Sequence, residues 1–322
     1  MRAAVVTRFG GPDVFTVTSR PEPEPGPGEV LVDVAAADTL WLETQVRTGG
    51  VQDYWPMRPP YVPGNGVAGR ITRVGDGVDP ALRGSRVVAH TGNENGYADR
   101  AVVPAEGLSA VPDELDLTVA AALLHDGATA LALFDVTKVG RDDAVVILGA
   151  SGGLGVLSVQ LGRSRAATVV TVARGTKLAR IGTLDPDAAV DSEAADWVDQ
   201  VRRALPRGRA EVVLDNIGGT LGEASFALCG PGSRFSAHGT PSGRFASVDR
   251  QAAAREGITV TGIEAVQMSA SSLKRYTERA LREAAAGVIA PVIGQTFPLE
   301  RVSDAHAAIE GRGVFGKTLL IT

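Results

Sequence analysis

The residues of this 322-residue chain best spaced for chemistry are Gly149-Ala150-Ser151-Gly152-Gly153-Leu154-Gly155. They follow an apolar run, 144–148, and open a helix-period segment that reaches about Gly162, while 168–173 is a second apolar, β-branched run. In a unit of strand, glycine turn, helix and strand, the glycines do separate work. A tight turn needs positive φ, a diphosphate must approach bare backbone, and the helix must pack closely on the strand. Such a turn leaves free N–H groups at a helix N-terminus, which attract anions. Main-chain amides between residues 149 and 155, those of Ser151, Gly152, Gly153, Leu154 and Gly155 among them, are therefore expected to grip a dinucleotide.

The end of the second strand bears on which dinucleotide. An NAD site usually places an Asp or Glu there for the ribose 2′-hydroxyl. Here the chain reads Ala173-Arg174-Gly175-Thr176-Lys177, and two cations with a hydroxyl suit a 2′-phosphate, so NADPH is expected over NADH. The alternative is that Arg174 and Lys177 are solvated loop charges. A competing pattern, G-x-S-x-G, makes Ser151 the nucleophile of an α/β-hydrolase elbow, with Asp215 and His306 following in hydrolase order. Gly155 has no task in an elbow, and about 140 residues precede the strand, so the dinucleotide reading is preferred.

The elements around this unit fall into two regimes. With 44% hydrophobic and 21% charged residues, the chain reads as an ordinary globular protein long enough for two domains. A net charge of −5 argues against a nucleic-acid partner. The single cysteine, Cys229, excludes a disulfide framework and a Cys-rich zinc site, and reads as a small buried apolar residue. No signal-peptide core or membrane-length apolar run stands out, so a cytoplasmic enzyme with no membrane partner is expected. Residues 1–116 are β-rich, with short runs at 3–6, 14–18, 30–34, 69–74, 86–89 and 101–103 punctuated by Gly and Pro. From 117 to 265 helices and strands alternate, as in a doubly wound parallel sheet (a Rossmann domain). The segment 266–322 carries a polar helix at 271–286, a strand near 292–297, a short helix at 302–309 and a last strand at 317–321, which most economically rejoins residues 1–116.

This split plan resembles the medium-chain dehydrogenase/reductase superfamily. The residues that carry the resemblance span nearly the whole chain: PGPGEVLVDVAAA, RTGG from Arg47 to Gly50, PGNGVAG from Pro63 to Gly69, NGYADRAVVPAEGLSAVPDELDLTVAAAL, GASGGLGVLSVQLG, DNIGG from Asp215 to Gly219, and FGKTLLIT. Among its branches the chain looks like the zinc-independent quinone oxidoreductases. Zinc-dependent relatives hold their metal with Cys and a Gly-His-Glu segment; Asn65 and Gly66 stand where that His and Glu would fall. The resemblance implies a Rossmann domain inserted in a GroES-like β-barrel domain, a homodimer, and pyrophosphate on Gly152 to Gly155. It further implies Arg174 and Lys177 on the 2′-phosphate, and Thr129, Asn216, His238, Gly239 and Lys317 near the nicotinamide end.

The departures from the family pattern are equally specific. Leu40 and Gln45 occupy positions where the family commonly has an Asn and a Tyr, with Glu43 between them, and Gly66 replaces an acid. Without a metal, the chemistry that suits NADPH is hydride delivery to an already electrophilic carbon of a quinone or an enone, and the protein's part is orientation and a dry slot. Substrate contacts are expected in a loop from Trp41 to Tyr61, where Trp41, Tyr54, Trp55 and Tyr61 could stack on a flat, aromatic or polyketide-like substrate, or instead form a small satellite core. Gln45, Arg47 and Tyr54 are the catalytic candidates, and His90 and His125 could reach the same cleft. Two other readings stay open: a non-redox tailoring enzyme such as a cyclase on the same fold, and an NADPH-binding sensor.

Overall fold

The computed structural model describes residues 1–92, 94–165 and 168–322. In chain order the strands and longer helices are β1 (Arg2–Val6), β2 (Phe15–Ser19), β3 (Glu29–Asp38), α1 (Trp41–Thr48), β4 (Gly66–Val74), β5 (Arg86–His90), β6 (Arg100–Pro104), β7 (Ser109–Ala110), α2 (Leu117–Leu123) and α3 (Asp126–Val136). They continue with β8 (Ala144–Leu148), α4 (Gly153–Arg165), β9 (Thr168–Ala173), α5 (Leu178–Gly182), β10 (Ala188–Asp191), α6 (Trp197–Ala204), β11 (Val212–Asp215), α7 (Gly219–Ser225), β12 (Arg234–Ala237), α8 (Arg250–Arg255) and β13 (Thr259–Gly262). The last are α9 (Ala270–Ala285), β14 (Ile293–Pro298), α10 (Val302–Glu310) and β15 (Lys317–Ile321). Two compact units result. One comprises Met1–His125, Ala270–Ala286 and Ile293–Thr322; the other Asp126–Ser269 and Gly287–Val292. Helix α2, grouped by its sequence pattern with the central domain, lies in the first unit.

In the first unit β3 is the organising strand. It runs antiparallel to β4, β6 and β15, so the end of the chain does rejoin the N-terminal sheet. Its register against β4 shifts between Val34 and Ala36, so that Ala37 is buried on a core as Val30, Val32 and Val34 are. Val30 and Val32 pack with Ile71, Val87, Ala89 and Val103. Val34 and Ala37 pack with Ala3, Ala4, Val67, Tyr97 and Leu320. The apolar core then ends on a carboxylate, because Asp38, last residue of β3, is fully buried.

The chain after β3 was expected to be a loop as far as Tyr61, but its first eight residues are helix α1. Glu43 makes it one by accepting a hydrogen bond from the Leu40 N–H (2.8 Å) at the helix start. Gly49, at φ 81°, ends it by donating to the carbonyls of Gln45 and Val46.

The second unit is a six-stranded parallel sheet in the order β10-β9-β8-β11-β12-β13. Counted from β8 this is 3-2-1-4-5-6, the doubly wound order. Its central strands are largely apolar because both faces are covered: Val146, Leu148, Val170, Val172, Val213 and Phe235 share one buried cluster. The chain reverses direction of winding between β8 and β11, so their carboxyl ends border the crevice where such sheets take a ligand. Among the described residues no single helix is long and apolar enough to cross a membrane.

Candidate functional site

At the carboxyl end of β8, Gly149 takes φ 66°, and a Cβ there would lie 2.8 Å from Ile217 Cδ1. Gly155 brings α4 onto that turn: a Cβ would come within 2.2 Å of the Gly149 carbonyl oxygen and 2.7 Å of Ala150 Cα. Gly152, in contrast, is exposed, with nothing nearer its absent Cβ than the Gly149 oxygen at 3.8 Å. The loop is thus tight toward the sheet and bare toward solvent at the point where α4 begins. Its first turn carries no acidic residue, and first-turn N–H groups have no partner inside a helix. The arrangement favours an anion at 152–154.

Across the crevice, the Asn216 Nδ2 donates to the Leu148 carbonyl (2.7 Å), while its Oδ1 meets His238 Nε2 at 2.5 Å. His238 is held from its other side by Ser236, and burial lowers its pKa to about 4. A Cβ on Gly239 would sit 1.9 Å from the Asn216 carbonyl carbon, so these two turns pack backbone to backbone. Asn216 and His238 therefore brace each other, and what they present to a ligand is the rim of the crevice.

Past β9 three cations gather. Burial, then Arg174 and Arg180, lower the pKa of Lys177. Burial is the larger cause, and the two neighbouring guanidinium groups add to it. Two acids stand close by: Glu193 lies 3.8 Å from Arg174 Nε, and a Cβ on Gly175 would be 2.4 Å from Asp191 Oδ2.

The first unit carries its own polar cluster. Glu43 accepts from the Leu40 N–H, the Asn65 N–H (2.9 Å) and the Tyr97 hydroxyl, tying α1, the 63–66 turn and the core together. Burial raises its pKa, and the Tyr97 and Leu40 hydrogen bonds offset part of that rise. A few residues away, Asp38 Oδ2 meets His125 Nδ1 at 2.7 Å and Asp38 Oδ1 meets Lys317 Nζ at 2.6 Å. Burial alone would push the Asp38 carboxyl up; Lys317 and His125 together pull it below its ordinary value. His90 stands edge-on to His125 with ring centroids 4.4 Å apart.

Comparison with known proteins agrees with this architecture. Residues 26–113 match the alcohol dehydrogenase GroES-like domain, and residues 184–320 match a family described as zinc-binding dehydrogenase. The quinone oxidoreductase of Mus musculus is 30% identical over 334 residues, covering 100% of this chain and 98% of that protein. The chain belongs to the quinone oxidoreductase-like branch of the medium-chain dehydrogenase/reductase superfamily. A 2-haloacrylate reductase of Burkholderia sp is 29% identical over 327 residues, with 99% and 98% covered. A mycobacterial protein solved in complex with NADPH superposes with a TM-score of 0.89 at 28% identity, over 100% of both chains.

Within this family frame the expected site residues divide. Ser151, Gly152, Gly153, Leu154 and Gly155 form the loop and first turn of α4; Arg174 and Lys177 flank Gly175 at the end of β9. Thr129 is half-buried in the first turn of α3, rather than in a free turn. Lys317 has its ammonium on Asp38, and its side chain is 5% exposed. Gln45 is half-buried, with Nε2 on Thr44 Oγ1 at 3.0 Å. Tyr54 is 85% exposed. Arg47 must be corrected: its side chain is fully buried, bound to Glu310 and to the Gly10 carbonyl (2.8 Å), so it anchors α1 and has no surface to offer a substrate. The aromatic loop is also mainly a satellite core, since Tyr61 packs with Val6, Val14 and Val46, and Trp55 covers them.

The hydrolase alternative finds no support. The carboxylate of Asp215 accepts from the backbone N–H groups of Ile217 (2.9 Å) and Gly218 (2.8 Å). His306 is buried against Phe15 and Tyr97. Sequence reasoning passed over Asp38. The signal was there, a lone acid closing the apolar run Ala35-Ala36-Ala37-Asp38, but a strand-end acid reads by default as a solvated one.

Proposed function

We propose that this protein is an NADPH-dependent reductase that delivers hydride, without a metal, to a quinone or an α,β-unsaturated carbonyl. The carrying observation is the glycine turn at the switch point between β8 and β11, closed toward the sheet by Gly149 and Gly155 and bare at Gly152. Amides of 152–155 would hold the pyrophosphate, and Arg174 with Lys177 the 2′-phosphate, whose charge would relieve the crowding of cations there. Asn216 and Gly239 would border the nicotinamide end, with Thr129 beside it. The bound cofactor supplies the hydride, and the chain's share is orientation and exclusion of water.

The mycobacterial relative with NADPH and the reductase names of the curated relatives support this reading. Zinc fits poorly. Gly66 offers no side chain for it and Asn65 only a neutral amide, and the buried carboxylates close by are already engaged, Asp38 by the Lys317 ammonium and Glu43 by the Asn65 N–H and the Tyr97 hydroxyl. The edge of the parallel sheet at β13 is open to pairing with a second copy, which supports a homodimer.

The test is direct. NADPH, more than NADH, should raise the melting temperature, and the nicotinamide absorbance should fall with a quinone or an enone. No thermal shift with either nucleotide would remove the cofactor assignment; binding without oxidation by any acceptor would favour the sensor or cyclase reading. Sedimentation should give a dimer at micromolar concentration.

A further inference from the structure

Strand β10 ends on an acid, Asp191, one strand removed from the place where dinucleotide sites usually keep theirs. We propose that Asp191 is a specificity-determining residue of the nucleotide site: its carboxylate receives the ribose 2′-hydroxyl of NADH and opposes the 2′-phosphate of NADPH. The inference rests on the placement of that phosphate at Arg174 and Lys177 proposed above, and adds the group that limits the preference.

In a doubly wound sheet the acid for the 2′-hydroxyl closes the second strand of the glycine unit. Here that strand is β9, which closes on Ala173 and is followed by the cation Arg174. Strand β10 runs parallel to β9 with Asp191 opposite Ala173, so the acid reaches the same level from the neighbouring strand. Its carboxylate lies against the turn that follows β9. A Cβ on Gly175 would come within 2.4 Å of Asp191 Oδ2, 3.0 Å of its Cγ and 3.4 Å of its Oδ1. Gly175 stands between Arg174 and Thr176-Lys177. The carboxylate and the expected phosphate cations therefore border one stretch of bare backbone, and a side chain at 175 would displace the carboxylate from it.

The carboxylate is also oriented. Oδ1 accepts from the Glu193 N–H at 3.0 Å, and the Ser192 N–H donates to the Ala173 carbonyl at 2.8 Å, which ties the turn after β10 to the end of β9. Oδ2, on the Gly175 side, receives no hydrogen bond among the described residues, and Asp191 forms no ion pair there although it is half-buried beside a cationic turn. The acid that does approach Arg174 is Glu193, with Oε1 3.8 Å from Nε. Asp191 is thus the acid left for a ligand.

A carboxylate acts oppositely on the two nucleotides. Toward NADH it is an acceptor, and a charge-assisted hydrogen bond is about twice as strong as a neutral one. Toward NADPH it is a like charge beside a phosphate monoester that carries about two negative charges. Arg174 and Lys177 outweigh that repulsion, so NADPH stays preferred, by a smaller ratio than two cations alone would give.

The experiment measures calorimetric affinities of the full-length protein, Asp191→Asn, Gly175→Ala and the control Asp199→Asn. The ligands are NADPH and NADH, with the fragments 2′,5′-ADP and ADP-ribose, which lack the nicotinamide. Asp191→Asn should tighten NADPH and 2′,5′-ADP about 10-fold, by a factor that shrinks as salt rises. The same variant should weaken NADH and ADP-ribose about 5-fold. Gly175→Ala keeps the charge but displaces Oδ2, so it should weaken NADH more than NADPH. Asp199→Asn, an exposed acid of α6 paired with Arg202, should leave all four ligands unchanged.

A loss that weakens both nucleotides alike is what a merely structural role would give, and that result, or no change, overturns the proposal. Should loss of Arg174 and Lys177 weaken NADH as much as NADPH, the phosphate placement falls, and the NADH and ADP-ribose measurements still judge Asp191. Should Asp191→Asn not fold, Gly175→Ala decides, since equal effects on NADH and NADPH refute the assignment.

Discussion

Replacing Lys317 by Met removes one half of a buried ion pair and leaves Asp38 with only His125 for company. At 2.6 Å the pair's attraction is about 6 kcal/mol for an effective dielectric constant near 20. Taking both charges out of water costs several kcal/mol each, so the intact pair is close to neutral for stability. Breaking it is not neutral. Lys317→Met should cost about 3–5 kcal/mol, which lowers the melting temperature of a unit of this size by on the order of 10 °C. Asp38→Asn should cost a similar amount by removing the carboxylate that faces the ammonium. The double variant should be no worse than either single, because no unpaired charge is left in the core.

The pH dependence has a definite sign. In the wild type the Asp38 carboxyl lies below its ordinary value, so its contribution is present above the unfolded pKa and is lost as pH falls through the folded one. Without Lys317, burial dominates and raises the folded pKa above the unfolded one. The deficit of Lys317→Met should therefore be greatest at high pH and shrink in acid. Thermal melts of the four proteins across pH decide the matter: a double variant that loses the sum of the two singles, or a deficit that grows in acid, refutes the buried-pair account.

Three further predictions concern other parts of the molecule. Gly155→Ala must push α4 off the Gly149 turn, given the 2.2 Å approach, so NADPH should no longer raise the melting temperature; a wild-type shift would contradict the close packing. Arg174→Ala with Lys177→Ala should weaken NADPH about 10–100-fold and leave NADH untouched, as read by calorimetry; equal loss for both would contradict the phosphate role. Because Lys177 is lowered in the free protein and a phosphate would raise it, the preference for NADPH should hold below the free pKa and decline as pH rises through it. Arg47→Met should act on stability, at about 3–5 kcal/mol, with the quinone KM of the folded protein unchanged; a large KM effect at wild-type stability would reinstate Arg47 as a substrate contact.

Much of this fold can be read from period and punctuation. The central strand β8 is an unbroken apolar run and its neighbours are nearly so, and the order β10-β9-β8-β11-β12-β13 is the ordinary outcome of alternating strands and helices. Helix α1 was hidden because its start depends on a side chain, Glu43, whose other partners are Asn65 and Tyr97, far along the chain. Short helices such as α5, α7 and α8 are equally faint, being too brief to show a period. The glycine turn was legible since Gly149 and Gly155 each answer a local demand. Arg47 was misread for the opposite reason: a charged residue in an expected loop looks like a surface donor until the fold supplies Glu310.

Asp38, His125 and Lys317 raise a question that fold stability does not answer. Burying this trio gains little over the apolar side chains that the same positions could hold, and such replacements in other cores are often neutral or stabilising. The trio is also assembled from three separated places, β3, β15 and the link between α2 and α3, so no local propensity explains it. What it does achieve is the orientation of one half-buried imidazole, where His238 and His306 are buried. A costly polar arrangement with a single accessible product is better explained by work done at that product than by the packing around it. Gly66 stands beside the trio, and the space its missing Cβ leaves is filled by Leu124, the residue before His125.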